Sequence, residues 1–119
     1  MAFPADWPES CPPADAGDAS GMVFRAVSKR PPPAEDFRTY RELGRPDRGK
    51  PCIAAALSVF ATALQCRHNL DKYPYLGIMV ARGMLTPALG KISQPRERDG
   101  HMSWWPALGV TRASAFVVE

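Results

Sequence analysis

The strongest helical pattern in this chain lies at residues 51–68, which read PCIAAALSVFATALQCRH. Pro51 suits the first position of a helix, because the backbone N–H that proline lacks would have no partner there. From Cys52 to Leu64 the segment is apolar on nearly every side, and its alanines allow close packing against a sheet. Its low β-branched content favours helix over strand. These features predict one central, buried helix that ends near Asn69.

The segments on either side predict strands and one short helix. In the first of them, Val23, Arg25 and Val27 would share one face of a strand, and Phe24 and Ala26 the other. The predicted strands are residues 22–27, 91–93, 101–105 and 113–118, with 75–82 as either a strand or a second short helix. A short helix is predicted to begin at residue 33 or 34, with acids in its first turn, and to end at Gly44. The expected fold class is α+β: a small antiparallel sheet packed against one central buried helix plus a short helix.

Residues 1–20 differ from the rest of the chain in composition. They contain four prolines and four acids but no Lys or Arg. Because the whole chain has a formal charge of +3, this segment carries −4 and residues 21–119 carry +7. A segment of this kind buries too little apolar surface to offset the entropy lost on ordering. We expect an acidic, Pro-rich N-terminal arm at 1–20, extended or docked through Phe3 and Trp7, and a single α+β domain at 21–119.

The cysteines and the start of the chain predict the cellular setting. The cysteine count is odd, with Cys11, Cys52 and Cys66, and the first residues lack the basic start and apolar run of a signal peptide. We therefore expect a cytoplasmic location and no disulfide framework, with Cys52 and Cys66 as small buried residues. No window approaches the roughly 18 apolar residues of a membrane span. We expect no membrane association, no metal and no cofactor, since no cluster offers the ligands of a zinc site.

The densest run of chemically distinctive residues is HMSWWP at residues 101–106. On a strand, Trp104 and Trp105 point to opposite faces, so at most one of them can face the core. His101 and Trp105 share a face and could form the wall of a ligand pocket, with a ring for stacking and a titratable donor. The alternative is that Trp104 is a core residue and Trp105 packs beneath the N-terminal arm.

Two charged residues complete the candidate site. Arg25 lies in the middle of an apolar strand, where a charge needs a partner or a ligand, and its planar guanidinium suits a phosphate or carboxylate. The alternative is an edge residue that faces water. Glu119 follows the last predicted strand and is either a useful carboxylate or a frayed end. The candidate binding residues are Arg25, His101, Trp104, Trp105 and Glu119.

Nucleophilic catalysis has little support in the sequence. Ser58 falls inside the predicted helix, where its hydroxyl is expected to bond to the helix backbone. No elbow motif or Ser/His/Asp order surrounds any serine. The loop at residues 45–50, RPDRGK, is basic and has a phosphate-friendly composition, but it lacks the spacing of a Walker loop.

Two classes of function remain open. The first is a small soluble binding or interaction module without catalytic activity, whose basic body and aromatic-bearing arm favour a protein partner or nucleic acid. The second is a small enzyme acting on a nucleotide-like substrate, because Arg, an aromatic residue and Glu are residue types that an ADP-ribosyl-transferring site uses. The likeness is to residue types only, since no motif of that family is present. Convergence of Arg25, His101 and Glu119 on one cleft would favour the enzyme.

Overall fold

The structure divides the predicted helix at 51–68 into three elements. A computed structural model describes residues 2–118. In it, the segment forms helix α1 (Pro51–Ala54), strand β3 (Leu57–Phe60) and the first part of helix α2 (Ala63–Lys72). The expectation of a sheet packed against one central buried helix is therefore wrong.

Local sequence accounts for this division. Leu57 and Val59 are buried in the core while Ser58 between them is exposed, which is the two-residue period of a strand. Thr62 is the N-cap of α2, and its hydroxyl oxygen accepts a hydrogen bond from the backbone N–H of Gln65 at 3.1 Å. The sequence Thr-Ala-Leu-Gln matches the pattern of a capping box, which marks the start of a helix. A helix start therefore lies inside the segment for which the apolar composition predicted one continuous helix.

A seven-stranded antiparallel sheet dominates the described part of the chain. Besides β3, its strands are β1 (Gly17–Asp18), β2 (Gly21–Val27), β4 (Met79–Leu85), β5 (Gly90–Ile92), β6 (His101–Pro106) and β7 (Phe116–Val117). The order across the sheet is β1-β5-β6-β3-β2-β4-β7, and every neighbouring pair is antiparallel. The segment expected to cover the sheet as a helix thus supplies its central strand instead.

The predicted short helix at 33–44 is reduced to a single 3-10 turn, Ala34–Phe37. Arg38 adopts an extended backbone at φ −90° and ψ 135°, which ends the turn. Thr39 and Glu42 then bond each other's backbone: the Thr39 N–H donates to Glu42 Oε1 at 2.8 Å, and the Glu42 N–H donates to Thr39 Oγ1 at 3.1 Å. These side chains give the backbone a turn in place of further helix. Three other 3-10 turns occur at Pro74–Leu76, Pro87–Leu89 and Arg112–Ala115.

The hydrophobic core lies on one face of the sheet. Trp104 is fully buried there, and its indole N–H donates to the carbonyl of Leu89 at 3.0 Å. Phe116 packs against both Trp104 and Phe37, with ring centroids 5.8 and 4.9 Å away. Sheet residues supply much of the remaining core, including Val23, Val27, Leu57, Val59, Ala81, Leu85 and Met102. Helix α2 buries only Cys66 and Leu70, which is why it cannot be the centre of the fold.

The N-terminal segment is attached to the sheet at several points. Strand β1 pairs with β5, and the fully buried Ala19 donates its N–H to the carbonyl of Gly90 at 2.9 Å. A disulfide joins Cys11 to Cys52, whose Cα atoms are 5.5 Å apart although 41 positions separate them in sequence. The expectation of no disulfide framework did not allow for this bond, and Cys52, expected to be a small buried residue, is half-buried and bonded to Cys11. Cys66 is buried and free, as expected.

No helix among residues 2–118 combines the length and the apolar character that a bilayer crossing requires.

Candidate functional site

A pocket of about 640 Å³ opens where β2 and β3 separate. These two strands share a single register pair, Phe24 and Phe60, whereas β2 pairs with β4 along all seven of its residues. Beyond this pair the register ends, and Arg25 and Ala26 from β2 and Leu57, Ser58 and Phe60 from β3 line the pocket. The volume falls within the range of small-molecule sites, which runs from roughly 300 to 1,000 Å³.

Arg25 bridges the opening between the two strands. Its Nη1 donates to the carbonyl of Ser58 at 2.7 Å, and its Nε and Nη2 donate to the carbonyl of Asp36 at 3.2 and 2.7 Å. The guanidinium also lies 5.5 Å from the centroid of the Phe37 ring. Burial lowers the pKa of Arg25 to about 10, partly offset by the Asp36 carboxylate, so the side chain remains charged at neutral pH. Arg25 therefore replaces missing strand hydrogen bonds and brings a positive charge to the pocket.

One wall of the pocket, residues 38–40, is held by Arg112. This side chain donates to the carbonyl of Phe37 at 2.6 Å and forms a two-point ion pair with Glu42 at 2.6 and 2.9 Å. Burial opposes the charge on Glu42, but the hydrogen bonds from Arg112 and Thr39 outweigh it and lower the pKa of that carboxyl group. Such a fork-to-carboxylate pair is among the stronger polar contacts in proteins, so this wall is joined to the 3-10 turn at Arg112–Ala115.

Ser58 and His101 form a hydrogen-bonded pair on the pocket floor. Ser58 Oγ lies 2.9 Å from His101 Nε2. The register of β3 and β6 pairs Phe60 with His101 and Ser58 with Ser103, so the two side chains are diagonal neighbours on one face. The Phe60 and His101 rings pack in a T-shaped arrangement, with centroids 5.6 Å apart. Burial lowers the pKa of His101, Arg96 and Arg98 add to that effect, and Asp99 opposes it.

The rim of the pocket is cationic and aromatic. Among the described residues that line it, four carry a positive charge and only Asp47 carries a carboxylate. The cations are Arg25 at the floor and, at the rim, the exposed residues Arg38, Arg48 and Lys50. Three tyrosines also line the pocket: Tyr40, Tyr73 and Tyr75. Apolar side chains complete the wall, notably Ile53 from α1 and Leu76 from the 3-10 turn at Pro74–Leu76. A site of this composition suits an anion joined to a flat or apolar group.

The structure separates the residues that the sequence singled out. Arg25 and His101 line the same pocket. Trp104 is in the core, and Trp105 is 1% exposed with its indole N–H donating to the carbonyl of Cys52 at 2.9 Å. Trp105 thus packs beside the disulfide that holds the N-terminal arm and does not line the pocket with His101. Glu119 lies outside the described residues.

Most of the pocket lining was not identified from the sequence, and Ser58 and the loop at 45–50 are the missed contributors with the most distinctive chemistry. Ser58 was assigned to a helix interior, although its position between the buried residues Leu57 and Val59 is the signal that would have placed it on a strand face. The loop at 45–50 was noted for its composition but not placed at a site. It contributes Pro46, Asp47, Arg48 and Lys50 to the pocket because residue 51 begins α1 beside β3.

Within residues 2–118, no three His, Cys, Asp or Glu side chains are grouped so that they could hold a metal ion. The chain matches no protein-family model, no curated protein and no solved structure at a significant level. The fold and the pocket are therefore the basis for assigning a function.

Proposed function

We propose that this protein binds a nucleotide-like ligand, meaning a phosphate joined to a planar ring, in the pocket between β2 and β3. The observation that carries the proposal is the excess of positive charge around a partly apolar cavity of about 640 Å³. Arg and Lys side chains attract phosphate oxygens, and Arg can donate two parallel hydrogen bonds to them. The tyrosines and Ile53 offer surfaces for a ring.

The cations of the pocket divide into two groups by exposure. Arg25 is partly buried and uses three N–H donors on backbone carbonyls, so it supplies a fixed positive charge at the floor. Arg48 and Lys50 lie in an exposed loop that lines the pocket, so their charges are accessible to a phosphate. This arrangement supports a model in which the phosphate binds between floor and loop.

Binding can be tested by titrating the protein with ADP at low salt, by calorimetry or tyrosine fluorescence. The informative variant is the double substitution Arg48→Gln and Lys50→Gln, which removes two exposed charges without touching the core. Charge-assisted hydrogen bonds contribute roughly 1.5–3 kcal/mol each, so we expect affinity to fall by at least about tenfold. The matched control is Lys29→Gln with Arg67→Gln, two exposed cations outside the pocket lining.

We expect the control pair to change affinity by less than about twofold, because charges beyond the site act only through screened, long-range attraction. Equal losses in the two double variants would mean that the ligand is attracted by net charge and not by the pocket. Absence of ADP binding at millimolar concentration and low salt would refute the proposal.

A single-stranded nucleic acid is the second candidate, and one observation favours it. A neighbouring depression shares Asn69 and Tyr73 with the pocket, and its charged lining, Lys72, Arg96, Arg98 and Asp99, has a net positive charge although Asp99 pairs with both arginines. A basic track with interspersed aromatic rings is typical of surfaces that bind single strands. An oligonucleotide of about twelve nucleotides should then bind more tightly than ADP, with a steep salt dependence that Lys72→Gln and Arg98→Gln reduce. Equal affinity for ADP and the oligonucleotide would contradict nucleic-acid binding and leave the nucleotide-like ligand as the proposal.

The expectations of a protein partner and of a cytoplasmic location stay predictions.

A further inference from the structure

Ser58 and His101 have the geometry of a nucleophile with its general base. The 2.9 Å separation between Ser58 Oγ and His101 Nε2 is within hydrogen-bond reach, and both residues line the pocket. Ser58 is exposed to the pocket, so its oxygen is accessible to a bound molecule. A nucleophile, a base within reach and a cavity beside both are three parts of a reacting site.

The surrounding structure fixes both members of the pair. The backbone of Ser58 is held through its carbonyl by Arg25 at 2.7 Å. The backbone N–H of His101 donates to Asp99 Oδ1 at 3.1 Å, and Arg96 holds the Asp99 carboxylate at 3.1 and 2.6 Å. Both residues are on paired central strands of the sheet, which position side chains more precisely than loops do.

The protonation state of His101 suits a base. Its lowered pKa, caused first by burial and then by Arg96 and Arg98 against the opposing Asp99, keeps the imidazole neutral at pH 7. In the tautomer that carries hydrogen on Nδ1, the Nε2 lone pair accepts the hydrogen bond of the serine hydroxyl. The same nitrogen can take the proton when the oxygen attacks.

We propose that Ser58 is the nucleophile, and His101 its general base, in the hydrolysis of a phosphate monoester bound in this pocket. The inference rests on the proposed function, because it takes the phosphate-bearing ligand as a substrate. In the first step a bond forms between Ser58 Oγ and phosphorus while the bond from phosphorus to the ester oxygen breaks. The proton of the hydroxyl passes to His101 Nε2 and from there to the departing oxygen, which leaves as an alcohol.

Water completes the cycle. His101 takes a proton from a water molecule as its oxygen attacks the phosphoserine, and the bond between phosphorus and Ser58 Oγ breaks. The serine oxygen recovers a proton from His101, so the net reaction converts ester and water into alcohol and inorganic phosphate. Arg25 at the floor and the basic loop at 45–50 offset the negative charge on the phosphoryl oxygens.

The first test is covalent labelling by a neutral organofluorophosphonate, followed by peptide mass spectrometry. Ser58 Oγ bonds to phosphorus, fluoride leaves, and the proton passes through His101 to solvent. Ser114 provides an internal reference, because it is exposed and does not line the pocket. We expect Ser58 to be labelled at least about tenfold faster than Ser114 in the folded protein and at the same rate in urea, and His101→Gln to slow the labelling of Ser58 by about 100-fold.

Equal labelling of Ser58 and Ser114 in the folded protein would overturn the proposal, and this comparison needs no variant to fold. The probe is uncharged, so labelling does not depend on the cationic rim. Labelling of Ser58 without ADP binding would therefore refute the proposed binding of a nucleotide-like ligand. ADP binding without selective labelling would refute the assignment of Ser58 as the nucleophile.

The second test is hydrolysis of para-nitrophenyl phosphate by the whole protein. We expect turnover that Ser58→Ala abolishes, together with phosphate trapped on the Ser58 peptide after acid quenching. Selective labelling by the fluorophosphonate without any turnover of the phosphate ester would overturn the assignment of a phosphate monoester as substrate.

Discussion

The disulfide between Cys11 and Cys52 ties the N-terminal arm to the side of the molecule that carries the pocket. Cys52 lies in α1, whose Ile53 and Ala54 line the cavity, and its carbonyl accepts the indole N–H of Trp105. We predict that replacing both cysteines with serine, or reducing the bond, lowers the free energy of unfolding and loosens α1.

The magnitude follows from the length of the loop that the bond closes. Cys11 and Cys52 are 41 positions apart in the sequence. The chain-entropy relation gives about 13 cal/mol/K for a loop of that length, or about 4 kcal/mol at 25 °C. Domains have only about 5–15 kcal/mol of net stability, so this loss is a large fraction of the total. With an unfolding entropy of about 2.1 cal/mol/K per residue over the 119 residues, the expected fall in Tm is about 16 °C.

The assay is urea unfolding followed by tryptophan fluorescence, with and without a thiol reductant. Wild-type protein should lose stability on reduction, and the double variant Cys11→Ser with Cys52→Ser should match reduced wild type and ignore the reductant. The variant also controls for Cys66, the buried thiol that it retains.

Two results would contradict the reasoning. Alkylation of the unreduced, unfolded protein at all three cysteines would show that the bond does not form. Equal unfolding midpoints for oxidised and reduced wild type would show that the bond forms without constraining the unfolded chain, and the entropy argument would fail.

Three further predictions follow from single positions. Arg25→Met should lower the free energy of unfolding by about 2–5 kcal/mol in urea titration, because two backbone carbonyls lose their donor; no change would mean that water replaces the guanidinium. Gly83→Ala should destabilise by about 1–3 kcal/mol, since a Cβ there would lie 2.5 Å from the Phe116 ring, whereas Gly17→Ala meets nothing within 4 Å and should have a much smaller effect on Tm. Because the folded state lowers the pKa of His101 from its ordinary value of about 6.5, the unfolded chain binds the proton more readily, so stability should fall as pH drops through that value. The effect is measured by comparing urea unfolding midpoints at about pH 8 and pH 5. The difference between the two midpoints should be smaller in His101→Gln. An unchanged difference in this variant would assign the pH dependence to other groups.

Two of the strands were predicted from the sequence close to their observed bounds. Residues 22–27 and 101–105 were both predicted as strands, and the structure has Gly21–Val27 and His101–Pro106. Strand geometry also required the two tryptophans of β6 to point in opposite directions. Where each ring is buried depends on contacts with Leu89 and Cys52, which are distant in the sequence.

The error at 51–68 has a definite physical cause. A short run of apolar residues is compatible with a buried helix and with a buried strand, and periodicity alone does not separate the two. The low β-branched content favoured helix, but Leu57–Phe60 gains backbone hydrogen bonds from β6 on one side and contacts β2 on the other. Tertiary pairing of this kind routinely overrides local helix propensity.

The candidate site was only partly accessible to sequence reasoning. Arg25 could be marked because a charge in an apolar strand needs a partner, but the carbonyls that satisfy it belong to residues 11 and 33 positions further along the chain. Ser58 and His101 are 43 positions apart, and their pairing depends on the register of β3 with β6. Residue type indicates which chemistry is possible, whereas the register of the two strands sets the distance between the Ser58 and His101 side chains.

By itself the sequence determined the strands at 22–27 and 101–105, which side chains carry charge, and that residues 1–20 are acidic while the rest is basic. These properties depend on local period and on composition. Only the tertiary structure decided that residues 57–60 form a central strand, that Cys11 meets Cys52, and that the basic loop at 45–50 lines the same pocket as Ser58 and His101. Each of these depends on the pairing of segments far apart in the chain, and the free energy of that pairing is absent from any local window.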